Sequence, residues 1–363
     1  MTTVTDNDHR YMQHALMLAR RGLGQVHPNP AVGCVLVNDG IVVGRGWTQP
    51  SGRPHAETIA LKQAGEKARG ATAYVTLEPC AHEGHTGSCA LALAEAGIER
   101  AVIALRDPDP RVDGKGLAIL KAASIRIDDG VLLAEAEQLN MGFLYRVTKN
   151  RPMFTVKAAT TNDGRMITRT DEPRWITGEQ ARDYGHMLRA THDAILVGIN
   201  TVLKDDPMLN CRLEGLEKRS PIRIVLDSTA RLPLDSKLVQ TANDYPVWLI
   251  TNQANAATQK LEDKGVVCIF VENTHVIENV AKKLASQGLT RVLVEGGPTL
   301  ISAFMKANVV DYFAWFRAKG SPPYTRALFQ DSFLEKDFLY NAIYQHQSTR
   351  IFGDDVMETL VKY

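Results

Sequence analysis

Four side chains in the first third of the chain could do chemistry together: His55 and Glu57 in "HAET", and Cys80 and Cys89 in "EPCAHEGHTGSC". They supply one imidazole, two thiolates and a carboxylate that stands close by without being needed as a ligand. A His-Cys-Cys shell suits zinc and leaves a fourth position for water, whose pKa the metal lowers from about 16 toward 7. Such a water can attack an amidine carbon, with Glu57 taking its proton and passing it to the departing ammonia. A zinc deaminase is the first hypothesis. A closed structural zinc completed by His82 or His85, a solvent-facing His-x-Glu, and unrelated buried thiols are the competing readings. Cys34, Cys211 and Cys268 stand apart in strand-like surroundings and do not suggest a disulfide framework.

These residues need particular elements beneath them. Apolar positions predict a helix over 8–21, and "AVGCVLV" and "IVVGRGW" flank Asn38-Asp39-Gly40 as strand, tight turn and strand. A helix over 55–65 would hold His55 and Glu57 in one turn but aim them differently. The strand "ATAYVTL" leads through Pro79 to Cys80, and Cys89 opens a helix over 89–97, whose N-terminus favours a thiolate. "RAVIAL" is a further strand, giving a sheet covered by helices. Asn29, between the prolines of "HPNP", could hydrogen-bond the edge of a heterocycle or simply belong to a turn. "DPDPRVDGKG" is a rigid loop at a strand end, a usual place for ligand contacts in open α/β sheets.

A length of 363 residues favours two domains. The boundary falls where the helical "EAEQLNMGFLYRVTKN" meets Arg151-Pro152 and a new strand, so the expected domains are 1–147 and 152–363. Lys plus Arg of 42 nearly cancels Asp plus Glu of 41, which gives no electrostatic case for nucleic acid or an anionic membrane. "MTTVTDNDHR" lacks the apolar core of a signal peptide, and no stretch approaches about eighteen apolar residues, so a cytoplasmic protein is expected.

The second domain offers strand candidates at 153–159, 194–198, 222–226, 246–250, 266–270, 291–294 and 309–316, with helices near 178–190, 277–287 and 298–307. This alternation reads as a largely parallel sheet. No G-x-G-x-x-G follows its first strand. "VEGGPTL" instead turns through Gly296-Gly297 into a helix starting at Pro298, where backbone N–H groups could meet a phosphate or merely close a turn. "LVGINTVLKDDPMLNCR" brings Thr201, Asp205, Asp206 and Arg212 beyond another strand, and "FTVKAATTNDGR" brings Lys157 and Asp163-Gly164.

The ordered set "HPNPAVGCVLV", "PHAE", "TLEPCAHEGHTGSC", "DPDPRVDGKG" and "EAEQLNMGFL" resembles the deaminase half of the bifunctional riboflavin-biosynthesis deaminase/reductase family, and the remainder resembles its reductase half. The resemblance implies an α/β chain with an N-terminal cytidine-deaminase-like zinc domain and a C-terminal dihydrofolate-reductase-like domain. The implied reactions are deamination of 2,5-diamino-6-(5-phosphoribosylamino)pyrimidin-4-one and NADPH-dependent reduction of the resulting phosphoribosylaminouracil to its ribityl form. Ala159, Trp175, Thr177, Thr201, Asp205 and Ser228 would contact the nicotinamide cofactor, and Gly297, Pro298, Thr299 and Leu300 would surround its phosphates. Arg189, Leu209, Arg212 and Glu295 would face the phosphoribosyl substrate, with Lys157 nearby; the arginines suit its phosphate. Asp205 is the candidate for assisting proton transfer, and Lys157 for the opposite role. A homo-oligomer, as a dimer through the reductase domain, is also implied.

This chain departs from the family pattern at several positions. The loop usually reading "HGRTPPC" has Gly84-His85-Thr86-Gly87-Ser88-Cys89, and Asp109 replaces the asparagine of "DPNP". Pro173 stands where a substrate-binding serine is usual, and Asn210 replaces the threonine of "LTxR". Arg317 and Lys319 interrupt a more regular ending, and the last fifty residues match poorly. Two rival functions follow: a zinc nucleobase deaminase with a non-catalytic C-terminal binding domain, and a metabolite sensor built on degraded pockets.

Overall fold

The computed structural model describes residues 4–81, 87–167, 176–319, 325–328 and 343–362. The chain forms two compact units, Met1–Lys149 and Asn150–Tyr363. Among the described residues no helix is long and apolar enough to cross a membrane.

The first unit runs α1 (Asp6–Ala19), β1 (Gly33–Asn38), β2 (Ile41–Trp47), α2 (Ala56–Ala64), β3 (Thr72–Val75), α3 (Cys89–Glu95), β4 (Arg100–Ile103), α4 (Lys115–Ala122), β5 (Arg126–Asp129) and α5 (Leu133–Lys149). Its sheet has the order β2-β1-β3-β4-β5. β1 is antiparallel to β2 and β3, and β3, β4 and β5 are parallel. Buried Cys34, Val35 and Leu36 of β1 lie in the core with Ala15 and Leu16 of α1 and Ala60 of α2. Two glycines set how closely α2 approaches β2. A Cβ on Gly44 would stand 2.3 Å from the Ala60 carbonyl oxygen, and one on Gly46 would stand 2.0 Å from that of Ala56. Any side chain there would push away the helix that begins beside His55.

Two elements of this unit escape a reading by periodicity. α4 spans two turns, and β5 reads "RIDD", with no apolar alternation to mark it. Charge pairing helps secure β5: Arg100 bridges Asp128 at 2.7 Å while its other nitrogens reach the buried Asp8 of α1.

The second unit contains β6 (Met153–Thr161), β7 (Arg165–Ile167), α6 (Glu179–Ala190), β8 (Ala194–Gly198), α7 (Ile199–Asp205), β9 (Ile222–Leu226), α8 (Lys237–Gln240), β10 (Val247–Thr251) and α9 (Ala256–Glu262). It continues with β11 (Val267–Phe270), α10 (Ile277–Ser286), β12 (Arg291–Glu295), α11 (Pro298–Lys306), β13 (Val310–Ala318), β14 (Thr325–Ala327), β15 (Tyr344–Phe352) and β16 (Asp355–Lys362). The nine-stranded sheet has the order β11-β10-β9-β8-β12-β6-β13-β16-β15, and β7 pairs with β14 separately. From β11 to β13 every pairing is parallel. The central strands are accordingly near-continuous apolar runs, such as "AILV" in β8. The β15–β16 hairpin is antiparallel and closes the sheet beyond β13. It was not among the strand candidates, because β15 is an edge strand with mostly exposed side chains and so carries little apolar alternation.

Parallel register places Lys157 of β6 directly beside Glu295 of β12 and Ala314 of β13. Positions 157, 295, 201 and 228 therefore gather toward the C-terminal ends of the parallel strands, where open α/β sheets bind ligands.

Candidate active sites

His55 is the N-cap of α2 in extended conformation, and Glu57 follows in the first helical turn. Cys89 is the first residue of α3. Its N-cap Ser88 accepts the Leu91 N–H and donates to the Cys80 carbonyl at 2.8 Å, tying the helix start to the other cysteine. His55 Nδ1 lies 3.3 Å from Cys89 Sγ and 3.6 Å from Cys80 Sγ, and all three donors fall within 4.8 Å of one another. A tetrahedral zinc with bonds of about 2.0 Å to nitrogen and about 2.3 Å to sulfur separates them by about 3.5 Å, so the triangle fits that ion and leaves one corner open.

The protons at this triangle are tightly linked. The hydrogen bond from Cys89 holds the Cys80 thiol down at about 4, against the opposing effect of burial. The same bond, with burial, pushes Cys89 far up. The hydrogen bond with Cys80 raises His55. Glu57 is only 3% exposed and outside the donor triangle, and burial lifts it to about 7 although His55 pulls the other way. A buried carboxyl poised there can take up and release a proton. His82 and His85, considered above as fourth ligands, lie outside the described residues.

Two loops lead into the ligand segments. Asn29 lies across the turn that precedes His55: a Cβ on Gly52, at φ +82, would come within 1.8 Å of Asn29 Nδ2. On the other side, Glu78 precedes Cys80 by two positions and was not singled out by sequence. Its buried carboxylate accepts the N–H groups of Gly114 (3.1 Å), Gly116 (3.0 Å), Leu117 (3.2 Å) and Asp107 (3.4 Å). The loop "DPDPRVDGKG" is thereby folded onto the Cys80 segment, so closely that a Cβ on Gly116 would meet the Pro79 carbonyl oxygen at 2.0 Å. Asp109, the departure from "DPNP", is spent locally on Arg111.

In the second unit, Arg189 and Glu295 form a two-pronged ion pair, with both contacts at 2.9 Å, and Arg189 Nη1 also donates to the Asn210 carbonyl. One edge of the guanidinium proposed for phosphate is thus already engaged. Burial works to raise Glu295, but Arg189 and Lys157 prevail and hold it at about 2. Burial draws Lys157 below the ordinary lysine value, opposed by Glu295. The carboxylate that acts on Lys157 is therefore Glu295. Asp205 ends α7 with its side chain exposed.

His186 was also missed by sequence. It accepts the Arg212 N–H at 3.4 Å, and burial together with Arg189 and Arg212 lowers it to about 4, so it is a neutral acceptor. Arg212 also donates to Asn210 Oδ1 at 3.2 Å. Leu209, expected to face substrate, turns its side chain into the core at 4% exposure and can present only its backbone. Ala159, Thr201 and Ser228 are half-buried and Thr177 is buried. Gly297 caps α11 without any side-chain hydrogen bond, and Pro298, Thr299 and Leu300 form its first turn. That arrangement suits a phosphate of a dinucleotide. Pro173 and Trp175 lie outside the described residues.

Two family models match the chain: the cytidine and deoxycytidylate deaminase zinc-binding region over residues 5–105, and the RibD C-terminal domain over 152–318. The riboflavin biosynthesis protein RibD of Aquifex aeolicus is 43% identical over 315 residues, covering 87% of this chain and 88% of that protein. Its Escherichia coli counterpart is 42% identical over 316 residues, covering 84% and 85%. Among solved structures, RibD of Acinetobacter baumannii superposes with a TM-score of 0.87 at 37% identity, covering 98% of this chain and 99% of that one. A Thermotoga maritima protein described as a diaminohydroxyphosphoribosylaminopyrimidine deaminase/5-amino-6-(5-phosphoribosylamino)uracil reductase gives 0.85 at 31% identity, with the same coverage.

Proposed function

Since the chain belongs to the RibD family of riboflavin-biosynthesis proteins, we propose that its two units act in turn on one phosphoribosyl-pyrimidine, through the residues assigned below. The protein is a bifunctional zinc-dependent deaminase and NADPH-dependent reductase. The first reaction deaminates 2,5-diamino-6-(5-phosphoribosylamino)pyrimidin-4-one. The second reduces 5-amino-6-(5-phosphoribosylamino)uracil to the ribitylamino product. The observation that carries the residue assignment is the His55-Cys80-Cys89 triangle with buried Glu57 beside it.

In the first unit, His55, Cys80 and Cys89 hold zinc, which when bound acts as a Lewis acid toward water. Glu57 takes up a proton and returns it to the leaving amine, a role that suits a carboxyl lifted to about 7. Asn29 binds the heterocycle edge, its side chain set by the Gly52 turn.

In the second unit, NADPH supplies the hydride. Gly297, Pro298, Thr299 and Leu300 hold its phosphates, and Ala159, Thr177, Thr201 and Ser228, with Trp175, border its nicotinamide half. Glu295 fixes Arg189 and Lys157, so that Lys157 orients the ribosyl group. The substrate phosphate falls to Arg212 and the remaining N–H groups of Arg189. The backbone at Leu209 completes that side. Asp205 assists proton transfer at the rim.

A homo-oligomer, dimeric through the second unit, in the cytoplasm and without nucleic-acid or membrane partners, completes the reading. Light scattering of the purified chain tests the assembly. A coupled assay following ammonia release and NADPH oxidation separately, with and without a zinc chelator, tests the assignment. Chelation should stop ammonia release while preserving NADPH oxidation on the deaminated substrate. Ammonia release that survives complete metal removal refutes the metal site.

A further inference from the structure

All but the last residue of "EAEQLNMGFLYRVTKN" lie on α5 and none has a place in the chemistry above, yet two of them hold the turn that carries Asn29. Asn140, buried at 3% exposure, accepts the Ala31 N–H on Oδ1 at 3.0 Å and donates from Nδ2 to the Ala31 carbonyl at 3.1 Å. The side-chain amide thus pairs with both backbone groups of one residue, as a neighbouring strand would. From the same helix, Arg146 Nη2 donates to the Pro28 carbonyl at 3.1 Å. The two contacts bracket Asn29 and Pro30, just before β1. Asn29 makes its own approach to Gly52, in the turn leading to His55.

We propose that Asn140 is a positioning residue for the deaminase reaction: it splints the Pro28–Ala31 turn from α5 and so holds Asn29 at the substrate edge. A side-chain amide offers a donor and an acceptor at once to the two buried backbone groups. Arg146 steadies the other end of the turn. The inference rests on the reading that Asn29 contacts the heterocycle, and it predicts that α5 acts on substrate binding without touching zinc, Glu57 or the substrate.

The test measures steady-state ammonia release from the phosphoribosylaminopyrimidine, with zinc content, for Asn140→Ala, Asn140→Gln, Asn29→Ala and the double variant Asn29→Ala/Asn140→Ala. Asn140→Ala should keep its zinc and raise KM about tenfold with little change in kcat, as for a misplaced binding group. Asn140→Gln, which keeps both polar groups on a longer stem, should recover part of that loss. Once Asn29 is gone, removing Asn140 should cost little more, because the two act through one contact. If Asn29→Ala raises KM while the Asn140 variants do not, or if the two losses simply multiply, the splint is refuted. If Asn29→Ala itself leaves KM unchanged, the reading of Asn29 fails, and the positioning role with it. Should Asn140→Ala lose its metal, Asn140→Gln decides by the same measurements.

Discussion

Replacing Glu78 tests whether the Cys80 segment is held by a buried carboxylate. Four backbone N–H groups converge on its two oxygens: Gly116 and Leu117 on Oε1, Gly114 and Asp107 on Oε2. An amide left buried without an acceptor costs about 1–3 kcal/mol. Glu78→Ala strands three well-placed donors and a longer fourth, a loss of about 4–8 kcal/mol, comparable with the whole stability of a domain. Glu78→Gln is the more informative change. It keeps Oε1 for Gly116 and Leu117 but turns an NH2 toward Gly114 and Asp107, for a loss of about 2–4 kcal/mol. Urea titration monitored by zinc release to a chromophoric chelator reports on the first unit alone, and NADPH oxidation in the same samples serves as the internal control. The expected result is a lower midpoint for zinc release, with NADPH oxidation unchanged. A Glu78→Gln protein whose zinc-release midpoint matches the parent would refute the clamp.

Three further outcomes follow from the same geometry. Glu57→Ala should retain zinc yet lose ammonia release by about 10²–10⁴-fold, the usual contribution of a general acid-base group; preserved deamination would remove the proton shuttle. Asp205→Ala should impair NADPH oxidation while leaving deamination intact, and normal reduction would end its assignment. His192 is buried and neutral, with Nδ1 donating to the Leu188 carbonyl and Nε2 2.8 Å from Thr155 Oγ1; burial lowers it to about 3. A base depressed on folding contributes stability that is complete above its unfolded value of about 6.5 and is lost as pH falls toward 3. Between pH 7.5 and 5 the parent should therefore lose about 2 kcal/mol more stability than His192→Asn. Equal pH slopes in the two proteins would contradict this.

The donor triangle was legible in sequence because its chemistry lies in residue types: His55, Cys80 and Cys89 stand out as candidate ligands before any contact is known, and the structure brings their donor atoms together. The seven parallel strands of the second unit were legible from their apolar runs. What escaped depends on distant partners. Glu78 acts on amides 29 to 39 positions away, Asn140 on a residue 109 away, and Arg189 on Glu295 at a separation of 106. None of these side chains has a local pattern that reveals its partner. Leu209 packs its side chain inward and offers only its backbone, which its place beside Asn210 and Arg212 does not reveal. β5 and β15 hid because one is charged and the other mostly exposed.

The glycine pair of β2 has a consequence for how this enzyme can change. The start of α2, which carries the proposed His55 ligand and Glu57, tolerates little drift, since the height of α2 above the sheet is set by two positions where even a methyl group is excluded. Random substitution at Gly44 or Gly46 would disturb His55 and Glu57 together without altering either. Variation that survives on this face of the fold must leave the spacing between β2 and α2 unchanged.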